Sequence, residues 1–362
     1  MNVNNDSNES ELSSLLSKEG VDLNKCELRK VGNGETWMIE ETCQDSSLVP
    51  TIGVFLWIGG MCSLTMSFLY FIFLASSFER SVLAILYVSS LALPRSFPGE
   101  RIQCLLGSFM MKNAERYFGL KTTMEDPKSI VEIGQKGNSG ILFAMEPHDL
   151  LPYSAFTFSR FLGRIPGPAG NDVKCLMTSA IFHLPFIRQI YTYVGGESVG
   201  KATFRTLLQN KQSCVMFPGG VQEVLYMEDP KHEILCYLKK RKGFIRLALE
   251  TGTPIVPAFT FHLDGSYTFW TLNNQLFSSI SRFIGFAPIF FFGRWYIPIG
   301  IPNPQKLHVV IGKPIHIPCE GRNSVKPESV DKYHQLYIQQ LEALYLRHRK
   351  EEGYEHRSLK IM

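Results

Sequence analysis

The residues best suited to chemistry in this chain are the four consecutive residues Glu146-Pro147-His148-Asp149. They follow residues 141–145, whose unbroken apolar character predicts a buried strand of a parallel sheet. An imidazole flanked by two carboxylates therefore lies just past the carboxyl end of a strand, where open α/β sheets bind ligands. We predict His148 as a general base and Glu146 as a second catalytic residue; a structural histidine bonded to backbone is the alternative.

A second group of candidate residues follows another predicted strand, residues 213–216. Gly219 and Gly220 have no side chains, so their backbone amides can approach a developing oxyanion or a phosphate closely. Glu223, three residues further on, is expected either to orient His148 or to contact a polar group of a substrate. A tight turn without a ligand is the alternative for the two glycines.

A third group is a cluster of cations at the start of a predicted helix over residues 237–251. Positive charges in the first turns of a helix oppose the helix dipole, and a bound polyanion would offset this effect. We predict that four of these residues bind an anionic ligand: Lys240, Arg241, Lys242 and Arg246. A solvated basic surface, or attraction to anionic lipid headgroups, is the alternative.

One motif favours another enzyme class. Gly196-Glu197-Ser198-Val199-Gly200 matches the nucleophile elbow of α/β-hydrolases, with residues 190–194 as the preceding strand. A membrane-bound serine lipase or esterase using Ser198 is thus a competing hypothesis. The simpler interpretation is that Ser198 or Glu197 caps the following helix. A non-catalytic lipid-binding protein is a third hypothesis.

Composition narrows the function classes. Of the 362 residues, 45% are hydrophobic and 26 are Phe, which suits a protein that handles lipid. The net charge of +4, without a basic groove of interleaved aromatics, argues against nucleic acid as a partner. The eight cysteines form no C-x-x-C pair, so neither a metal site nor a disulfide framework is expected, and the protein is expected to face a reducing compartment.

The chain divides into three parts. Residues 1–50 are polar and predicted to be disordered. Residues 51–95 are predicted to form a transmembrane or re-entrant hairpin. The 28 residues from Thr51 to Phe78 carry no charge. As one helix they would reach about 42 Å, which exceeds the thickness of a hydrocarbon core, about 30 Å. Basic residues flank both ends, so both termini are expected in the cytosol. Residues 96–362 alternate between strand and helix patterns, which predicts an α/β domain with a mixed, mostly parallel sheet flanked by helices.

Strands and helices are predicted at ten places in that domain. The predicted strands are 140–146, 174–178, 213–217, 254–261 and 307–311, and the predicted helices are 100–118, 151–162, 197–210, 237–251 and 328–350.

These motifs, in this order after a hydrophobic hairpin, resemble the diacylglycerol acyltransferase type 2 family, which includes monoacylglycerol and wax-alcohol acyltransferases. The resemblance covers roughly residues 51–362 and continues through Gly293-Arg294 and residues 309–315. Glu-Pro-His is closer to the plant or algal members than to the His-Pro-His-Gly of animal members. The chain departs from the family at Asp149, where Gly or Ser is usual.

The resemblance implies a glycerolipid-acyltransferase-like fold and a catalytic His148, with Glu146 in the same motif. It implies acyl-CoA as a co-substrate rather than a bound cofactor, and diacylglycerol as the acceptor; monoacylglycerol or a wax alcohol is the alternative acceptor. It further implies residence in the endoplasmic reticulum membrane and at lipid droplets. The His-x4-Asp pair of related glycerol-phosphate acyltransferases is absent, because the fifth residue after His148 is Tyr153. The role of Asp149, the acid partner of His148 and the choice between a monomer and a homo-oligomer stay open.

Overall fold

The computed structural model describes residues 27–31, 36–40, 43–137, 139–226, 233–270 and 290–362. The strands in these ranges are β1 (Glu27–Val31), β2 (Thr36–Glu40), β3 (Lys121–Met124), β4 (Leu142–Glu146), β5 (Lys174–Met177), β6 (Gly196–Ser198), β7 (Cys214–Met216), β8 (Glu233–Cys236), β9 (Ile255–Phe261), β10 (Thr268–Trp270), β11 (Phe290–Phe292), β12 (His308–Ile311) and β13 (Ser358–Ile361).

The α-helices in the same ranges are α1 (Leu48–Trp57), α2 (Gly59–Phe73), α3 (Ser77–Ala92), α4 (Glu100–Phe118), α5 (Pro127–Lys136), α6 (Ile187–Tyr193), α7 (Lys201–Gln209), α8 (Val221–Tyr226), α9 (Gly243–Thr251) and α10 (Pro327–His348). Short 3-10 helices occur at Tyr153–Phe158, Pro168–Gly170, Ser179–His183 and Arg294–Tyr296.

A nine-stranded mixed sheet forms the centre of the fold, in the order β1-β2-β3-β12-β9-β4-β7-β5-β6. Five of its eight strand pairings are parallel, and β1–β2, β2–β3 and β12–β9 are antiparallel. The predicted mixed, mostly parallel sheet flanked by helices is thus confirmed. The central strands β4, β9 and β12 are buried along their whole length, as their hydrophobic runs predict.

Helices cover both faces of this sheet. Alternate residues of β4 enter different hydrophobic clusters: Phe143 and Met145 pack in one, and Leu142 and Ala144 in the other. Buried residues of α1, α4 and the 3-10 helix at 153–158 contribute to the first cluster, and those of α7, α9 and α10 to the second. The carboxyl end of β4 is therefore fixed between two packed layers.

The structure differs from the sequence-based prediction in several local elements. Strands β1 and β2 lie within the stretch predicted to be disordered, while residues 1–26 lie outside the described residues. Residues 190–194, predicted as a strand, fall largely in helix α6, and the helix predicted at 151–162 is a 3-10 helix over Tyr153–Phe158. The helix predicted at 237–251 begins only at Gly243, so most of the basic cluster precedes it.

The predicted hairpin is three helices rather than one long span and a second arm. No single described helix is long and apolar enough to cross a bilayer; α1 and α2, bent by 63° at their break, meet that criterion only together. Helix α1 lies against α4, where Gly53 comes so close to Asn113 that a Cβ on the glycine would meet the Asn113 Cβ at 2.4 Å. Membrane insertion of these helices stays a prediction.

The first turn of α3 contains Glu79 and Arg80, the charges that interrupt the apolar run. Ser76 and Glu79 form a capping box at the start of α3. Arg80 donates to the carbonyl oxygens of Phe71 and Ile72 at the end of α2, at 3.1 and 3.3 Å. These charged side chains therefore satisfy the helix ends that form the turn.

The packing of α10 against the sheet gives a stability prediction. Leu341 is fully buried in the second cluster, whereas Leu346, on the same helix, is 55% exposed. Leu341→Ala is expected to lower the free energy of unfolding by about 2–5 kcal/mol, because it leaves a cavity. Leu346→Ala, the matched control, is expected to change it by about 0.5 kcal/mol or less. Denaturant unfolding of the purified variants measures both, and equal losses would contradict this packing.

Candidate active site

The loops after β4 and β7 bring the first two predicted groups together. His148 follows β4, and Gly219, Gly220 and Glu223 follow β7, which pairs with β4 in parallel. Because the carboxyl ends of parallel neighbours meet at one sheet edge, residues far apart in sequence become adjacent. The backbone N–H of His148 donates to Oε2 of Glu223 at 2.7 Å.

The His148 ring is held in one tautomer. Its Nδ1 lies 2.8 Å from the carbonyl oxygen of Asp149, and because a carbonyl only accepts, Nδ1 carries the proton. Nε2 then carries the lone pair, and no hydrogen bond occupies it in the described part of the chain. The ring also packs edge-on against Phe217, with 5.7 Å between ring centroids. The half-buried side chain thus presents an unprotonated nitrogen.

The surroundings of His148 keep the ring neutral. Burial lowers the pKa of His148 from 6.5 to about 4; the positive charge of Arg241 acts in the same direction, and the bond to Asp149 partly opposes them. At neutral pH the imidazole is therefore a base with its lone pair available.

Asp149 contributes its backbone rather than its carboxylate. Its φ of 51° lies in the left-handed region, which Gly adopts freely and Asp tolerates better than most residues. This conformation accompanies the contact of its carbonyl oxygen with Nδ1. The sequence left the role of Asp149 open, and its partly exposed carboxylate makes no hydrogen bond to the His148 ring. It does not raise the pKa of His148, and burial raises its own pKa to about 7.

Glu146 and Glu223 lie beneath this loop, at 0% and 1% exposure. Gly219 N–H donates to Oε1 of Glu146 at 3.0 Å, and Tyr237 N–H donates to Oε1 of Glu223 at 2.8 Å. Neither carboxyl faces solvent, so both act on the site from inside the protein. The sequence did not indicate that the two carboxyls lie close together, because the two glutamates belong to different motifs.

The glycine pair therefore divides into two roles. The Gly219 amide is directed at Glu146 rather than at an incoming ligand, contrary to the expectation that both amides face the substrate. A Cβ at Gly219 would come within 1.8 Å of Oε1 of Glu223, so only glycine fits there. Gly220 has a φ of 59°, which turns the chain into α8, and its N–H has no hydrogen-bond acceptor within the described ranges.

The four predicted anion-binding residues have different surroundings. Lys242 pairs with Asp331 at 2.6 Å, and Arg246 pairs with Glu250 at 3.5 Å. Lys240 is exposed and makes no ion pair with the described residues. Arg241 instead points toward the site, where it donates to the carbonyl oxygen of Gly219 at 3.2 Å.

Ser198 lacks the partners of a catalytic triad in the part of the chain that the structure describes. Its Oγ accepts from the N–H of Gly200 at 3.2 Å, and within the described residues no histidine contacts it. The N-cap of α7 is Gly200, without a side-chain cap, so the predicted capping by Ser198 or Glu197 is wrong. Two histidines available to a hydrolase triad, His262 and His308, instead bind Glu352, each at 2.8 Å.

A cleft of about 530 Å³ lies near the same edge of the sheet, lined by His262, Asp264, Gly265, Gln305, Gly353, Tyr354, His356 and Arg357. Asp264 is close enough to Asp149 to raise its pKa, so the cleft adjoins the His148 loop. Sequence reasoning missed this cleft, because its residues come from three separate segments, after β9, before β12 and after α10.

The state of the His148 ring can be measured directly. Nitrogen NMR of histidine-labelled protein, assigned with His148→Gln, is expected to show a neutral ring protonated at Nδ1 from pH 8 to about pH 5, since its pKa is about 4. Between pH 6.5 and that value the unfolded chain binds a proton that the folded chain excludes, so this residue lowers stability as the pH falls. Titration near pH 6.5 would contradict this environment.

Comparisons with known proteins agree on one family. The sequence profile of the family described as diacylglycerol acyltransferase matches residues 72–361. The chain is 28% identical over 266 residues to Diacylglycerol O-acyltransferase 2 of Dictyostelium discoideum, covering 69% of this chain and 76% of that relative. It is 28% identical over 274 residues to Acyl-CoA wax alcohol acyltransferase 2 of Mus musculus, covering 70% and 77%.

Among solved structures, the 1-acyl-sn-glycerophosphate acyltransferase PlsC of Thermotoga maritima aligns over 79% of this chain and 97% of its own, with a TM-score of 0.37 and 14% identity. That likeness is too low to support a comparison of residues. Because the family profile extends over most of the sequence, the chain belongs to the diacylglycerol acyltransferase family, and it is an acyltransferase.

Proposed function

We propose that this enzyme transfers a fatty acyl group from acyl-CoA to the free hydroxyl of diacylglycerol, forming triacylglycerol, with His148 as the general base. The observation that carries this proposal is the lone pair on Nε2 of a neutral ring, fixed by the Asp149 carbonyl at the carboxyl end of β4. Diacylglycerol is the preferred acceptor because the family profile, and a relative aligned over 76% of its length, bear that name.

The reaction follows from this geometry. Nε2 of His148 takes the hydroxyl proton as the acceptor oxygen attacks the thioester carbonyl. The C–S bond then breaks, and the thiolate of coenzyme A leaves and recovers the proton from the imidazolium. The ring is a weak base in the free enzyme, but negative charge developing on the acyl oxygen beside it favours its protonation in the transition state. This step needs no metal or bound cofactor.

We assign stabilisation of the oxyanion to the Gly220 amide, because the Gly219 amide is already bonded to Glu146. A donor of this kind typically contributes on the order of a hundredfold or more to the rate. Lys240 and Arg241 are the proposed ligands for the phosphates of acyl-CoA, because Lys242 and Arg246 have carboxylate partners within the protein.

Exposed apolar side chains supply the proposed contact with a bilayer. Those on and beside α2 and α3 include Phe73, Leu74, Phe78, Ile85 and Val88, at 65–78% exposure. Apolar surface on this scale is unusual in a monomer in water and typical of a membrane contact. A diacylglycerol acceptor dissolves in the same phase. We propose residence in the endoplasmic reticulum membrane, with both termini in the cytosol, and at lipid droplets.

The experiment measures transfer of labelled oleoyl-CoA to diacylglycerol, monoacylglycerol and a long-chain alcohol in separate assays with the membrane-embedded protein. His148→Ala is expected to lower kcat by about 10²–10⁴-fold, the usual contribution of a general base. His183→Ala is the matched control, because its Nδ1 also bonds to a backbone carbonyl, Ser179 at 2.9 Å, but the residue is exposed. Full activity in His148→Ala would overturn the base, and preference for another acceptor would overturn diacylglycerol.

The acyl-CoA assignment has its own test. Lys240→Ala is expected to raise KM for acyl-CoA severalfold with kcat little changed, and the effect is expected to shrink as salt screens the phosphates. Lys332→Ala, at an exposed lysine of α10, is the control and is expected to leave KM unchanged. Steady-state kinetics at two ionic strengths measures both, and equal KM values in the two variants would remove Lys240 from the substrate site.

A further inference from the structure

Two acidic side chains lie buried against each other under the His148 loop. Carboxylate oxygens of Glu146 and Glu223 and Sγ of Cys236 all lie within 4.8 Å of one another. Two ionised carboxylates cannot share such a dry site without strong repulsion. Some positive or neutralising group must therefore accompany the pair.

The hydrogen bonds around the pair show which oxygen lacks a partner. Both oxygens of Glu223 accept backbone N–H groups, from His148 and from Tyr237. Oε1 of Glu146 accepts from Gly219, while its Oε2 is buried without a donor among the described residues. A buried carboxylate oxygen without a donor is costly, whereas a protonated oxygen would itself donate to the neighbouring carboxylate.

We propose, building on His148 as the base, that a single proton resides on Oε2 of Glu146 and is donated to Glu223, and that the ionised Glu223 is the positioning residue for the backbone of His148. Glu223 joins the loop after β4 to the segment after β8 through its two accepted N–H groups. Glu146 joins the same pair to Gly219 after β7. Neither glutamate touches the substrate.

A metal ion is the other group that could neutralise the pair, since Glu146, Glu223 and Cys236 have the right ligand types. Three of the four carboxylate oxygens already accept N–H groups, however, and those donors would face the cation. Burial also raises the pKa of the Cys236 thiol well above 9.0, which disfavours the thiolate that a metal would bind. A proton fits this donor pattern better than an ion does.

The groups facing the pair favour the same arrangement. Burial, followed by the charge of Glu223, raises the pKa of Glu146 well above 4.5. Burial also raises the pKa of Glu223, to about 7, but its bonds to Glu146, His148 and Tyr237 oppose that rise. The positive charge of Arg241 lowers the pKa of both carboxyls. The hydroxyl of Tyr337, on α10, donates to the carbonyl oxygen of Ala144.

Raising the pH is therefore expected to remove the remaining proton from the pair and disrupt it.

Glutamine substitutions separate the two roles. In Glu146→Gln the amide NH₂ replaces the proposed proton and the amide oxygen still accepts from Gly219, so kcat is expected to fall by about threefold or less. In Glu223→Gln the NH₂ must face the N–H of His148 or of Tyr237, so kcat is expected to fall about tenfold to a hundredfold. Equal losses in the two variants would overturn the assignment of the proton.

The pH profile and the infrared spectrum test the proton itself. Wild type is expected to lose kcat at alkaline pH as the pair gives up its proton, and Glu146→Gln is expected to lack this loss, since an amide does not ionise. The carbonyl band of a protonated carboxyl is expected in wild type at pH 8 and not in Glu146→Gln. An unchanged alkaline limb or an unchanged band in Glu146→Gln would overturn the proposal. The infrared band does not depend on which residue is the base, so an active His148→Ala would overturn the proposed function, while the band would still decide where the proton resides.

Discussion

The rest of the site depends on the hydrogen bonds that the buried carboxylate of Glu223 accepts. It accepts the N–H groups of His148 and Tyr237, which lie on segments far apart in sequence, and it is itself 1% exposed. A buried carboxylate that loses a hydrogen-bond donor is destabilised strongly. The two segments that supply the donors are therefore held in place. The orientation of the His148 ring is thus determined from beneath the loop, by backbone contacts. Within the described ranges the ring makes no hydrogen bond to a carboxylate.

The sheet explains why such a pair can exist. Strands β4 and β9 are buried along their entire length, with helical layers on both faces, so the edge at which Glu146 ends the strand is dry. In that environment charges are poorly screened, so moving a proton from one side chain to its neighbour changes the energy strongly. The same burial that stabilises the sheet therefore sets the protonation states at its carboxyl edge, as the lowered pKa of His148 illustrates.

Local and periodic features could be predicted from the sequence. The helix at 100–118 and the strands around residues 142–146 and 255–261 follow from uniform or periodic hydrophobicity, and the structure has them at nearly the same bounds. The strand predicted at residues 190–194 was wrong, because a short apolar run fits a buried helix as well as a strand. The sequence named the candidate residues of the site, and their roles stay predictions; the hydrogen bonds that join them could not be predicted. Nothing local reveals that Gly219 donates to Glu146 or that the Asp149 carbonyl holds the ring, because these contacts depend on chain reversals and a positive φ.

The strand β13 has a consequence for how the enzyme matures during synthesis. It pairs in parallel with β8, and the carbonyl oxygen of Met362 accepts the N–H groups of Leu238 and Lys239, directly beside Tyr237. The segment that reaches Glu223 is therefore held by residues translated more than a hundred positions later. A ribosome-bound chain that has already formed the central sheet still lacks this support, so catalytic competence is expected to arise only after residues 358–362 have left the exit tunnel.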